Sequence, residues 1–487
     1  MRERASALRS DIGLIGLAVM GENLALNIES RGYSVSVYNR TLSRVDEFSN
    51  GRGAGKRVTG CRSLKELAES LERPRKVILM VQAGDAVDEV IKQVLPHLEP
   101  GDILIDCGNS HYKDTSRRAG ALQSAGVHFL GTGVSGGEEG ALHGPSIMAG
   151  GAYEPWLEVR DLFRSIAAKA GPGNDEPCCE WMGLGGAGHF VKMVHNAIEY
   201  ADMQLISEAY WLMKVLLGMD SPAMGDVFAG WNQGPLQSYL IEITAQVLGK
   251  KDELTGDYLV DMVLGVARQK GTGAWAAEVA FELGVPAPSL VEAVVARFMS
   301  AVKDERIGAA AVLGGPGPLP AAAPAEDLIP ALHDALYAAK VIAYAQGFAL
   351  MQAASHRYGW PLDYAAIACI WRNGCIIRAR FLDAIAVAFV RDDAHDDVLC
   401  DAPTNLMLSP KFASDLAKSQ NQLRSIVGQA VSRGIPVSGF ASALTYYDSY
   451  RSGELPANLI QAQRDCFGAH GYERKDRKGI YHSKWTE

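Results

Sequence analysis

Residues 183–210 (GLGGAGHFVKMVHNAIEYADMQLISEAY) open on glycines and then run as one helical pattern. With Lys192 as origin and about 100° per residue, His195, Asn196 and Glu199 fall at roughly −60°, +40° and −20°. Phe190, Val194, Ala197, Ile198, Ala201 and Leu205 gather on the opposite side. The pattern predicts an amphipathic helix with a core stripe and a compact polar stripe. A merely solvated face carries like charges, long side chains and ion pairs four residues apart. This stripe instead mixes an amine, an imidazole, an amide and a carboxylate within two turns, the composition of a chemical site.

Ahead of that helix, strand-length apolar runs alternate with helical patterns. Residues 11–15, 34–38, 76–81, 102–106 and 127–132 read as strands. The order predicts a Rossmann-like, doubly wound α/β sheet over residues 11–182. The first strand runs into Gly16-Leu17-Ala18-Val19-Met20-Gly21 and a helix at 22–30. This is a G-x-A-x-x-G variant of the dinucleotide fingerprint. Gly16 permits the tight turn, Ala18 keeps a small side chain where backbone approaches a pyrophosphate, and Gly21 lets helix pack on strand. The second strand ends in Asn39-Arg40-Thr41, where NAD-type folds place a carboxylate for the ribose hydroxyls. A carboxylate would repel a 2′-phosphate, whereas Arg40 can bind one with charge-assisted hydrogen bonds, so NADP is expected over NAD. Ligands lie beyond the carboxyl ends of such strands. Loops fall there from Val81, from Asp106 and from Thr132. The last is dense in glycine and is led by Ser135, Gly136 and Gly137, which suits a small anionic ligand.

After Gly183 helical patterns dominate, and they repeat. Lys192 aligns with Lys340, Met203-Gln204 with Met351-Gln352, Trp231-Asn232-Gln233-Gly234 with Trp371-Arg372-Asn373-Gly374, and Gly284-Val285-Pro286 with Gly434-Ile435-Pro436. The order and near-constant offset predict a tandem duplication of an all-helical unit over residues 183–451, with a Pro-rich loop at 308–325 between the copies. His195, Asn196 and Glu199 become Ala343, Tyr344 and Gly347 in the second copy. The scaffold is duplicated but the polar stripe is not, which assigns chemistry to the first copy and a structural role to the second. Lys270 and Thr272 in a Gly-rich turn, and Arg297 in an otherwise apolar helix, suit a sugar phosphate. Residues 452–487 form a polar tail with little apolar surface for its own core. It carries Arg464 and His470 as further phosphate or hydroxyl ligands and is expected to lie against another surface.

Composition narrows the picture. The chain has 487 residues, 48% hydrophobic and 21% charged, which predicts two or three domains of a globular protein. A formal net charge of −9 argues against nucleic acid as a partner. The eight cysteines are scattered without a C-x-x-C pair, which reads as reduced thiols in a cytoplasm and as no metal-ligand cluster. Residues 1–10 lack the apolar centre of a signal peptide and read as a disordered extension. The uncharged run 308–325 holds four Pro and four Gly, so no membrane segment is expected.

The segments IGLAVMG, YNRT, GVSGGEEGA, GAGHFVKMVHNAIEYADMQLI, QKGTG and LPANLIQAQRDCFGAH resemble the decarboxylating 6-phosphogluconate dehydrogenases, over essentially the whole chain after residue 10. The resemblance implies oxidative decarboxylation of 6-phosphogluconate to ribulose 5-phosphate and CO2 with reduction of NADP. It implies Lys192 as general base and Glu199 as general acid. Ser135, Gly136, Gly137, His195, Asn196, Tyr200, Lys270, Thr272, Arg297 and Asn109 would contact the substrate. Arg464 and His470 would reach it from the other subunit of a homodimer. Gly16 to Gly21, Asn39 to Thr41, Val81, Gln82, Ala83 and Asn109 would line the coenzyme site, with Gln82 standing where a Lys is common. Two readings compete: a non-decarboxylating β-hydroxy-acid dehydrogenase, whose relatives are much shorter and unrepeated, and an NADP-binding sensor without turnover.

Overall fold

A computed structural model describes residues 9–268, 271–317, 324–390 and 403–486. An eight-stranded sheet is built from β1 (Ile12–Ile15), β2 (Val35–Tyr38), β3 (Val58–Gly60), β4 (Lys76–Leu79), β5 (Ile103–Asp106), β6 (His128–Val134) and β7 (Ile147–Gly150). A short hairpin, β8 (Lys169–Ala170) with β9 (Glu176–Pro177), precedes its last strand, β10 (Cys179–Gly183). The order across the sheet is β10-β7-β6-β5-β4-β1-β2-β3. Neighbours from β3 to β6 run parallel, β6 pairs antiparallel with β7, and β7 pairs parallel with β10. Successive residues of the central strands enter opposite cores. Ile103 and Ile105 belong to one cluster with Trp156 and Phe163, and Leu104 to the other with Leu79 and Phe129. Burial on both faces is why these strands read as continuous apolar runs.

Several sequence expectations shift. The glycine-dense loop after Thr132 is in fact the end of β6, a helix at Gly137–His143 and strand β7. Strands β3, β7 and β10 were not legible as strands. Ser10, expected in the disordered extension, is buried, pairs with Leu71 and donates its amide to Ser70 O. Of the Pro-rich loop expected at 308–325, the start belongs to a helix that continues to Ala310 and Ala325 begins the next helix, while residues 318–323 lie outside the described residues.

The helix at the centre spans Ala187–Leu217, about 46 Å at 1.5 Å per residue. Its first half lies on β6, β7 and β10 and the rest is enclosed by helices. Close approach to the sheet depends on glycine. A Cβ on Gly188 would stand 2.4 Å from Met148 O, and one on Gly133 would stand 2.4 Å from the Cβ of Lys192. The helical unit is doubled as expected. Ala325–Tyr358 repeats Ala187–Leu217, and both end in a left-handed glycine, Gly218 and Gly359. Gly284 and Gly434 also share a positive φ, +66° and +65°, before the helices Pro288–Ala301 and Ser438–Arg451. The tail carries the helix Ala457–Gly468 and a hairpin of β11 (Tyr472–Glu473) with β12 (Ile480–Tyr481). No helix among the described residues is long and apolar enough to cross a membrane.

Candidate active site

The polar stripe of the central helix is buried. Lys192 is 6% exposed, His195 0% and Asn196 9%, while one-fifth of the Glu199 side chain is exposed. β6 ends at Val134 and delivers Ser135 against the helix, with its amide held by Ser146 O. Lys192 Nζ donates to Ser135 Oγ at 2.9 Å and lies 3.4 Å from His195 Nδ1. His195 Nε2 meets Ser135 Oγ at 3.2 Å, and its Nδ1 lies 3.2 Å from Asn196 Oδ1 and 3.8 Å from Glu199 Oε2. The imidazole therefore stands between the amine and the carboxyl group, seven residues or about 10 Å of helix apart.

Burial sets the ionisation of all three. It pushes the Lys192 amine down, against the smaller attraction of Glu199 and Cys375. It holds His195 well below the usual imidazole range, helped by Lys192. It pushes the Glu199 carboxyl up, opposed by Lys192 and Arg297 and reinforced by Asp202. An amine driven towards neutrality and a carboxyl driven towards protonation form a base and an acid separated by environment.

At the Glu199 end, Asn196 Nδ2 reaches Thr272 Oγ1 at 3.4 Å. The guanidinium of Arg297 lies 3.7 Å over the ring of Tyr200 and donates to Arg268 O at 3.1 Å. A cation, a hydroxyl and an amide thus border one end of the stripe, where a phosphate can be held. Lys270 lies outside the described residues. Gly136 and Gly137 begin the helix after Ser135 with positive φ, and a Cβ on Gly136 would stand 2.5 Å from Gly374 O.

The coenzyme residues gather at the carboxyl edge of the sheet. Gly16 has φ +108°, and a Cβ there would stand 2.3 Å from Met80 O. Asn39 accepts from Leu17 N at 3.0 Å and donates to Thr41 O, so it fastens the fingerprint turn to the end of β2. The helix Val19–Ser30 starts at Ala18 without a side-chain cap, leaving its first N–H donors to a ligand. Met20 sits in its first turn. Arg40 is exposed beside this turn, and Val81, Gln82 and Ala83 follow β4. These residues fit a dinucleotide. Asn109 is exposed on the loop that follows β5, a loop tied by Asp106 through Gly108 N and Ser110 Oγ.

Arg464 and His470 are not brought to this cluster. Both are exposed on the tail, where Arg464 Nη1 reaches Gln461 Oε1 at 3.1 Å. Conversely, the second repeat contributes more than was expected of it. Trp371 packs edge-on against His195 with centroids 5.6 Å apart, and Gly374 O accepts from Ser146 N. Cys375 is buried close enough to Lys192 for each to shift the other. The echo of Trp231–Gly234 in Trp371–Gly374 was the sequence signal for this support.

Comparison with known proteins agrees with this geometry. Residues 11–183 match the NAD binding domain of 6-phosphogluconate dehydrogenase and residues 188–485 match its C-terminal domain. The chain is 54% identical to the NADP(+)-dependent, decarboxylating 6-phosphogluconate dehydrogenase of Bacillus subtilis, over 98% of this chain and 100% of the relative. It is 52% identical to the decarboxylating enzyme of Dictyostelium discoideum, over 98% and 97%. The solved 6-phosphogluconate dehydrogenase of Plasmodium falciparum, studied with NADP+ and with 6-phosphogluconate, superimposes with a TM-score of 0.91 at 44% identity, covering 98% of this chain and all of that one. With a buried amine and a carboxyl group on one helix, a dinucleotide turn at the sheet edge and both domains matched end to end, the chain belongs to the 6-phosphogluconate dehydrogenase family.

Proposed function

We propose that the chain oxidises 6-phosphogluconate and releases CO2 to give ribulose 5-phosphate, with Lys192 and Glu199 carrying the protons. The observation that carries this reading is the buried ridge on which the two groups stand with opposite displacements of their ionisation. NADP supplies the hydride acceptor. Neutral Lys192 takes the proton of the hydroxyl on the third carbon as that carbon is oxidised. The β-keto acid then loses CO2, its ketone taking up the electron pair, and the ammonium of Lys192 returns a proton to that oxygen. Protonated Glu199 delivers its proton to the carbon that lost CO2, forming the C–H bond of the product, while neutral Lys192 takes the enol proton back from the oxygen so that the ketone re-forms. Ser135 and His195 orient Lys192, Asn196 and Asn109 bind the sugar acid, and Thr272, Tyr200, Arg297 and Lys270 hold the phosphate end. Gly136 and Gly137 keep the backbone open beside it.

The tail of a second copy completes this site. Arg464 and His470 are exposed on a segment that folds on itself and also exposes Leu459, Ile460 and Phe467, which supports a homodimer with shared sites. The seven described cysteines are free thiols, which supports the cytoplasm. The test is one assay with NADP and with NAD, following reduced coenzyme and CO2 together. Equal amounts of both are expected, with Lys192→Met lowering kcat by about 10²–10⁴-fold. Coenzyme reduction without CO2 would favour a non-decarboxylating dehydrogenase, and nucleotide binding without turnover would favour a sensor.

A further inference from the structure

One buried ion pair lies outside the machinery described so far. Lys340 Nζ is 2.8 Å from Asp202 Oδ1, and the two side chains are 0% and 1% exposed. Apart from that ion pair, neither carboxylate oxygen of Asp202 has a hydrogen-bond partner among the described residues. The nearby Tyr344 hydroxyl is committed to Ile377 O at 3.0 Å, and Lys340 has Ser238 Oγ at 3.4 Å as a second contact. Two features give this pair meaning. Lys340 is the repeat counterpart of Lys192, so one lysine position meets two fates. The second-copy lysine receives a counterion, whereas Lys192 contacts a hydroxyl and an imidazole and burial pushes its amine down. Asp202 also sits three residues beyond Glu199 on the same helix, where side chains are neighbours. Its own repeat counterpart is Leu350, so the acid, like the catalytic stripe, exists only in the first copy.

We propose that Asp202, anchored by Lys340, is a positioning residue that keeps the Glu199 carboxyl protonated for delivery to carbon. An ion pair this deeply buried is weak evidence for stability, because apolar residues of similar volume often serve as well. Its use here is a fixed negative charge within one turn of the acid. The other charged or titratable groups facing Glu199 are Lys192 and His195 on its own helix, Arg297 on Pro288–Ala301 and Tyr344 on Ala325–Tyr358. Lys192 and Arg297 favour the carboxylate; Asp202 and burial oppose them.

The inference rests on Glu199 as the acid, and the test separates the two. The variant is Asp202→Leu with Lys340→Met, which removes both charges and copies the second repeat at the acid position. In the pH profile of kcat, the limb that reports the acid's proton is the one that Glu199→Gln abolishes. Its midpoint is expected to move to lower pH by about half a unit or more, because of the two charges removed Asp202 is the one that acts on Glu199, while the other limb stays in place. If the double variant does not fold, Asp202→Asn with Lys340 retained is expected to move the same limb in the same direction. A folded variant with both limbs unmoved overturns the proposal, even if kcat is uniformly lower. Glu199→Gln in the otherwise unchanged enzyme is the companion measurement. Its retaining both limbs overturns the assignment of Glu199 and this inference with it. Its losing the limb, while the double variant keeps it at the original pH, overturns this inference alone.

Discussion

A lysine whose ammonium must leave water costs stability as long as it is charged in the unfolded chain. Lys192 is lowered by burial in the folded state, from an unfolded value near ~10.4. Between the folded and unfolded values the unfolded chain holds a proton that the native chain does not. Stability therefore rises with pH through that window and is complete only above its upper end. Lys192→Met is accordingly expected to raise Tm at neutral pH while removing activity, and the gain is expected to shrink as pH approaches ~10. Thermal unfolding across pH checks this; a parent more stable than the variant at pH 7 would contradict it. Arg40 belongs to the same scale. It is exposed beside a turn that Asn39 has already fastened. If it binds the 2′-phosphate, Arg40→Ala raises KM for NADP by about 10–100-fold, the worth of one or two charge-assisted hydrogen bonds. KM for NAD stays unchanged. Equal changes for both coenzymes would remove the residue from that role.

The central helix works as an element because its first half can touch a sheet. Gly133→Ala places a methyl group 2.4 Å from the Cβ of Lys192 and so displaces its amine from Ser135. Overpacking of this kind costs about 1–3 kcal/mol. A fall in kcat at unchanged KM for NADP is expected, read from steady-state kinetics. The same contact explains what was legible beforehand. The helix, its stripe and the five continuous strands follow from periodicity, which survives wherever an element is long or buried on both faces. β3 is three residues of mixed character, β7 hides in the run GPSIMAGG, and β10 reads CEWMG without alternation. Glycines that normally announce a loop are here the residues that let strands and helix meet. An aspartate on a helix reads as solvated from sequence alone; only the neighbouring helix shows that Lys340 meets Asp202. Trp371 was seen as an echo of Trp231, but its contact with His195 needs the two copies in place.

At the scale of the molecule the tail poses the remaining question. It is organised around Asp465, which is fully buried and accepts from Gly471 N, His482 Nδ1, Ser483 N and Trp485 Nε1 at 2.8–3.0 Å. Four donors converge on one carboxylate and hold it well below the usual carboxylate range, with Trp485 and His482 leading the hydrogen bonds that offset its burial. The tail thus has a polar centre, and it leaves Leu455, Leu459, Ile460, Phe467 and Ile480 exposed. Apolar surface of that extent is placed for a partner. If the partner is a second copy, Arg464 acts on the substrate held by the other subunit's Lys192. Two defective chains can then repair each other. Lys192→Ala lacks the base but carries a sound tail, and Arg464→Ala carries the base but a damaged tail. In a mixed dimer one site joins both defects and the other is whole. Random exchange of equal amounts makes half of the dimers mixed, so about one quarter of the parent's activity returns from two weak parents. The measurement is activity after dissociation and reassembly of the mixture, against each variant treated alone. Activity equal to the average of the two would place Arg464 within its own subunit's site, or outside the chemistry altogether.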